Sequence, residues 1–376
     1  EVLAEIIRRT DGIPLFVEEL TKTVLASGLL QETPSGQPQG YPSGFVLRGP
    51  LSALAIPATL QDSLMARLDR LAPAKEVAQV GAVIGREFAH RLMAEVLSDM
   101  PAPQLDAALA DLVRSELVFR RGTPPDVTYS FKHALVRDTA YNSMLKSQRA
   151  LRHGQIAAVL EKGQRDGAAS QPELLAVHHQ EGGNLAVALR YWQAAGDAAM
   201  ARSAVREAVS HYQAAIELLA TVQAAEACAD VELGLRLRHG NALVQTEGFT
   251  SVRANQSFAR ARDLAIALDR PDEHIQACGG LAGGLLAAGR FSEVISMMEG
   301  FGPAQLARMK PMGRVHRMAR MGYPRTWRGE LAEAGSTLAE ARCELENVRP
   351  EDRQPLAGVD PLVAVLMRLG ATQMYR

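Results

Sequence analysis

The 376-residue chain balances 41 lysines and arginines against 42 aspartates and glutamates, so no bulk basic field draws it to nucleic acid or to an anionic membrane. Apolar residues make up 47% and aromatics only 5%, and the apolar share is dominated by alanine and leucine, which favours helices over sheets. The three cysteines, Cys228, Cys278 and Cys343, form no CxxC pair, and no apolar run reaches the roughly 18 residues of a membrane span. A reduced, cytoplasmic, mainly α chain is expected.

The first elements read as two helices, "EVLAEIIRRTDG" and "PLFVEELTKTVLASG". Gly12 ends the first, and Pro14 stands at a first helical position, where proline is tolerated. "QETPSGQPQGYPSG" follows, with three prolines and three glycines, and is expected as an exposed, mobile loop over about 31–50. Order resumes at "IPATLQDSLMARLDRL", where Thr59 and Asp62 resemble a capping box and Leu60, Leu64, Leu68 and Leu71 share a helical face. "AKEVAQVGAVIG" is a helix closed by Gly85, and "REFAHRLMAEVL" and "PQLDAALADLVRSEL" read as two more.

Next comes one convincing strand pair, "LVFRR" and "VTYSF", joined by "GTPPD". Helices followed by a hairpin are what a winged-helix domain looks like in sequence. The helix before that hairpin carries Asp106, Asp111 and Glu116 against a single Arg114, which would repel phosphates, so no nucleic-acid partner is expected there.

From about Pro172 the sequence reads as helix and turn alone. Trp192, Gly196, Ala208, Tyr212 and Ala215 fall at the spacings 4, 12, 4 and 3 of the tetratricopeptide signature, in which small residues let paired helices approach. The pattern returns at Gly322, Gly329, Ala334, Leu338 and Ala341, and at Gly240, Ala254, Phe258 and Ala261 once the turn is two residues longer. Gly289 marks a fourth, degenerate unit, and "DPLVAVLMRLGATQMYR" opens another.

No lysine follows a glycine, so the GxxxxGK[ST] phosphate loop is absent, and there is neither HExxH nor GxSxG. The adjacent His178 and His179 are poor metal ligands and are expected at a solvated loop edge. No catalytic residue and no metal site is expected in this segment.

The runs "RTDGIPLFVEEL", "IPATLQDSLMARLDRL", "VGAVIGREF" and "FKHALVRDTAYNSML" resemble the ATPase-to-repeat region of bacterial multidomain adenylate/guanylate cyclases, in which a class III cyclase precedes a signal-transduction ATPase of the STAND group and tetratricopeptide repeats follow. The resemblance implies a helical ATPase arm over 1–73, a winged-helix domain over 74–165 and repeats over 166–376. It also implies that the chain is an internal piece of a longer protein. ATP or ADP with magnesium would sit in an upstream ATPase core, and this segment alone would bind none. The partners would be that core, an effector domain, and a protein or small ligand at the repeats, with no membrane contact. Sister proteins carry a LuxR-type DNA-binding domain instead of the cyclase. A free-standing repeat scaffold is the third reading.

The family's arm opens with a Gly-x-Pro motif whose proline packs near adenine, and Gly12-Ile13-Pro14 matches it. A plain glycine stop and proline start fit the same residues. The group's winged helix supplies a histidine to the β-phosphate of ADP, and His133 matches by its place after the wing, with Arg137 one turn on as a second anion contact. Asp138 lies about 140° round from His133 and reads as a packing or capping partner. The alternative is that His133 is a satisfied core histidine beside a solvated basic face.

Overall fold

The computed structural model describes residues 14–26, 30–32, 45–47, 59–124, 126–166, 169, 171–221, 225–353 and 360–375. The chain is mainly α and divides into two compact units, Glu1–Ala169 with Glu181–Gly183, and Ser170–Gln180 with Asn184–Arg376.

In the first unit, α1 (Pro14–Ala26) packs on α2 (Leu60–Asp69), burying Phe16 and Leu20. The short strands β1 (Leu30–Glu32) and β2 (Phe45–Leu47) pair antiparallel within the stretch expected as a loop; residues 33–44 and 48–50 of that stretch lie outside the described residues. Helix α2 starts as its sequence requires, with Thr59 Oγ1 accepting from the Asp62 amide at 3.1 Å. Its Leu64 and Leu68 join one core with α3 (Ala72–Ile84), so this helix packs as part of the sheet-bearing body.

Helix α3 ends at Gly85 (φ 153°), and the chain forms β3 (Glu87–Ala89) before α4 (His90–Val96) and α5 (Ala102–Arg114). The strand corrects the reading of "REFA" as helix. Phe88 is driven under α3, where the missing side chain of Gly81 makes room: a Cβ there would stand 2.7 Å from the Phe88 ring. Phe88 also stacks on Tyr129 at 5.7 Å, and a three-residue strand shows no periodicity by which to tell it from helix. The hairpin β4 (Val118–Arg121) and β5 (Thr128–Phe131) follows, and β3 pairs with β5, giving an antiparallel sheet in the order β3-β5-β4. Helix α3, strand β3, helices α4 and α5 and the hairpin thus follow one another in this body. Then come α6 (Ala134–Asn142) and α7 (Lys146–Arg165), both packed on α3.

The second unit is a stack of paired helices. After α8 (Pro172–Glu181) the pairs are α9 (Leu185–Ala201) with α10 (Val205–Leu219), and α11 (Ala225–Glu247) with α12 (Val252–Ala267). The next are α13 (Pro271–Ala287) with α14 (Phe291–Glu299) and, beyond the short α15 (Pro303–Arg308), α16 (Pro311–Trp327) with α17 (Leu331–Glu346). Helix α18 (Pro361–Met374) packs on α17. Three of the repeat glycines face large residues of the same signature: Gly196 lies under the Tyr212 ring, Gly240 under the Phe258 ring and Gly322 under Leu338, each closer than a Cβ would allow. His178 and His179 are both buried in α8, with His179 stacked on Tyr191 at 5.4 Å, so the solvated loop edge expected for them is corrected.

Candidate functional site

The stretch that carries His133 leaves the sheet directly after β5. The Phe131 amide donates to Arg86 O at 3.1 Å and the Lys132 amide to Leu117 O at 3.0 Å, so the chain is pinned on both sides before α6 begins. Lys132 then reaches α1, with Nζ 2.8 Å from Glu18 Oε1 and 3.4 Å from Glu116 Oε2. Lys22 completes the square: it lies 2.7 Å from Glu18 and also pairs with Glu116. Two cations and two carboxylates thus alternate between the first helix and the sheet body. The hydrogen bond from Lys132, then that from Lys22, holds the Glu18 carboxyl at about 2, well below the usual range.

His133 itself is the N-cap of α6 and not part of its first turn. Its backbone is extended (φ −137°, ψ 146°), and its carbonyl accepts from the amides of Val136 and Arg137 at 3.1 and 3.5 Å. The side chain makes no capping bond, and Nε2 is enclosed with no hydrogen-bond partner among the described residues. Arg137 is engaged by its neighbour, Nε and Nη2 lying 3.0 and 2.5 Å from Asp138 Oδ1. Asp138 is therefore the partner of Arg137.

Of the locally basic residues, Lys132, Arg137 and Arg152 all meet carboxylates, the last pairing with Glu76 at 2.5 Å. Arg149 lies over the Tyr141 ring at 4.9 Å, and Tyr141 Oη is 3.1 Å from His153 Nε2. Burial, reinforced by Arg149, lowers the His153 imidazole to about 4. Pro14 is exposed at the start of α1, while Gly12 lies outside the described residues.

A separate cavity of about 820 Å³ opens between α4, α5 and the β4–β5 hairpin. Val113, Val127 and Tyr129 line it, with Arg114, Arg120 and the His90–Asp106 pair (2.9 Å) beside them. Arg114 also pairs with Asp111, so one acid of α5 is already neutralised. Among the described residues no three His, Cys, Asp or Glu side chains are grouped to hold a metal, and no described helix is long and apolar enough to cross a membrane.

No family model matches the chain. It is 26% identical over 258 residues to an uncharacterized protein of Rhizobium meliloti (strain 1021), an alignment covering 69% of this chain but 24% of that protein, so the chain spans about a quarter of its relative's length. Among solved structures, a signal-transduction ATPase with numerous domains and a tetratricopeptide repeat sensor, from Pyrococcus horikoshii, aligns over 99% of this chain and 68% of its own, at 11% identity and a TM-score of 0.28. BtubC from P. vanneervenii aligns over 79% of this chain and 96% of its own, at 12% identity and a TM-score of 0.22. TM-scores this low establish no common fold.

Proposed function

We propose that this chain is the regulatory, repeat-bearing segment of a STAND-type signal-transduction ATPase, reading nucleotide state through His133 and a ligand or partner through the repeats, and controlling an attached class III adenylate/guanylate cyclase. The observation that carries the reading is the Lys132 bridge. The residue next to His133 is tied to Glu18 on α1, so a displacement of His133 is felt by the helix that would adjoin the ATPase core. In the resting state the imidazole swings out to donate to the β-phosphate of ADP, while Pro14, following Gly12, packs near adenine. The swing sacrifices no hydrogen bond of Nε2, because Nε2 makes none in its enclosed position. Arg137 joins as a second contact only by leaving Asp138.

A single charge-assisted bond contributes about 1.5–3 kcal/mol, equivalent to roughly ten- to hundredfold in affinity. Calorimetry of ADP and ATP on the full-length parent, wild type against His133→Ala, tests the latch. The expected result is ADP weakened by at least about tenfold with ATP little changed. Unchanged ADP affinity makes the histidine a purely structural cap.

A further inference from the structure

The repeats contain two arginines at equivalent positions with different surroundings. Arg238 stands two residues before Gly240, and Arg320 two residues before Gly322, the glycines that receive the second helix of each pair. Each donates Nη1 to the carbonyl one turn earlier, Arg238 to Gly234 at 3.2 Å and Arg320 to His316 at 3.3 Å. Both also meet the first helix of the preceding pair. Arg238 finds a carboxylate there: its Nε is 3.2 Å from Asp197 Oδ1, which also accepts from Tyr212 Oη at 2.7 Å. Arg320 instead meets Gly279, so closely that a Cβ at that position would lie 2.3 Å from Nη2.

A second guanidinium stands nearby with the same deficit. Arg368 of α18 lies 5.6 Å from the Tyr323 ring centroid, and its Nη1 is enclosed without a hydrogen-bond partner. Neither Arg320 nor Arg368 forms an ion pair with a carboxylate among the described residues. Burial, then the nearby Arg368 charge, brings Arg320 down to about 10, and burial likewise lowers Arg368. The Cys278 thiol of α13 cannot serve as counter-charge, because burial pushes it up to about 11. Two partly buried like charges with no carboxylate partner among the described residues oppose folding, whereas forked guanidiniums match the oxygens of carboxylates and phosphates.

We propose that Arg320 and Arg368 form an anion-binding site within the repeats, and that the ligand is a small molecule bearing a phosphate or carboxylate group. Gly279 gives the guanidinium of Arg320 its room, and Tyr323 backs that of Arg368. This deepens the sensor reading by naming the ligand chemistry of the repeats. It is tested on this chain without nucleotide, so its failure leaves the ADP latch standing, and the reverse holds too.

The test is thermal unfolding of the chain in inorganic phosphate and in malonate, each against sodium chloride at matched ionic strength. One or both should raise Tm saturably by several degrees, and which one does so separates phosphate from carboxylate ligands. Arg320→Gln and Arg368→Gln should each abolish the rise, while Arg238→Gln keeps it. Without ligand, Arg320→Gln should melt no lower than wild type, since it removes an uncompensated cation. Should the glutamine variants fail to fold, Arg320→Lys keeps the charge without the fork and should weaken binding by at least about tenfold. No rise above chloride, or an equal rise in both glutamine variants, overturns the proposal, as does undiminished binding by the lysine variant.

Discussion

Phe258 lies between two glycines of different helices. A Cβ on Gly240 of α11 would stand 2.7 Å from one edge of its ring, and a Cβ on Gly280 of α13 would stand 2.4 Å from the other. The ring is 1% exposed, so one aromatic fills the hole left by both helices and fixes how closely three consecutive helices approach. Replacing an unhindered helical glycine by alanine ordinarily stabilises a protein by about 0.4–1 kcal/mol. Here the sign should reverse: Gly280→Ala and Gly240→Ala should each cost about 1–3 kcal/mol by overpacking. Gly154 in α7 has nothing within 4 Å of its added Cβ and serves as the contrast, with Gly154→Ala neutral or stabilising. Urea unfolding of the three variants checks this. A stabilised Gly280→Ala would mean that the ring can yield.

The Glu18 carboxylate should act as a pH-dependent tie between α1 and the sheet body. Its folded value, about 2, lies below the ordinary 4.5, so its contribution is present above 4.5 and lost as pH falls towards 2. Glu18 is about two-fifths exposed, which limits the contribution to about 1 kcal/mol. Glu18→Gln should therefore be less stable than wild type at neutral pH, and the two should converge near pH 2. A gap that stays constant over that range would show that packing, not charge, is what the substitution disturbs.

The repeats were legible because their rule is one of spacing. Gly196, Gly240 and Gly322 could be matched to Tyr212, Phe258 and Leu338 by counting, since close helix approach needs a small residue opposite a large one wherever the pair recurs. The hairpin was legible from its alternation. What stayed hidden depends on contacts distant in sequence. Strand β3 exists because β5 pairs with it and Gly81 admits Phe88, neither visible within "REFA". His178 and His179 read as a solvated loop edge, yet α8 buries both, and His179 stacks on Tyr191 from the next helix. At the His133 stretch, counting set Arg137 one helical turn on from His133. The chain instead places His133 outside the helix as its cap and gives Arg137 to Asp138. The difference between Arg238 and Arg320 was beyond sequence reading for the same reason: both are arginines two residues before a repeat glycine, and only the facing residue, Asp197 or Gly279, separates them.

The turn between the helices of each pair offers a stabilising substitution. Gly289 and Gly329 occupy it with φ of 70° and 80°, a left-handed conformation glycine adopts without steric cost. In the first pair the same turn holds Ser203 at φ 61°, where a side chain costs about 1–2 kcal/mol. Ser203→Gly should raise stability by about 1 kcal/mol, the rest being offset by the greater freedom of glycine in the unfolded chain. A lower urea midpoint for this variant would show that the serine is held by more than its backbone.

Two buried histidines should make the chain acid-sensitive well above the carboxylate range. Burial brings His153 and His239 each to about 4, with Arg149 adding to the first and Arg253 and Arg236 to the second. Tyr141 and Ser257 hydrogen-bond them at 3.1 and 2.9 Å. The sign follows from which state binds protons first. Above pH 6.5 both rings are neutral whether the chain is folded or not. As pH falls from 6.5 towards 4 the unfolded chain is protonated and the folded chain is not, so stability declines across that window. Each site can contribute on the order of 3 kcal/mol at most. His239→Gln keeps a hydrogen-bonding side chain without titrating, so its stability should fall less steeply between pH 6.5 and 4 than that of wild type. In the wild-type protein, NMR should find both imidazoles still neutral at pH 5. An imidazole that titrates near 6.5 in the folded state would mean that water reaches that ring, and its share of the acid sensitivity would vanish.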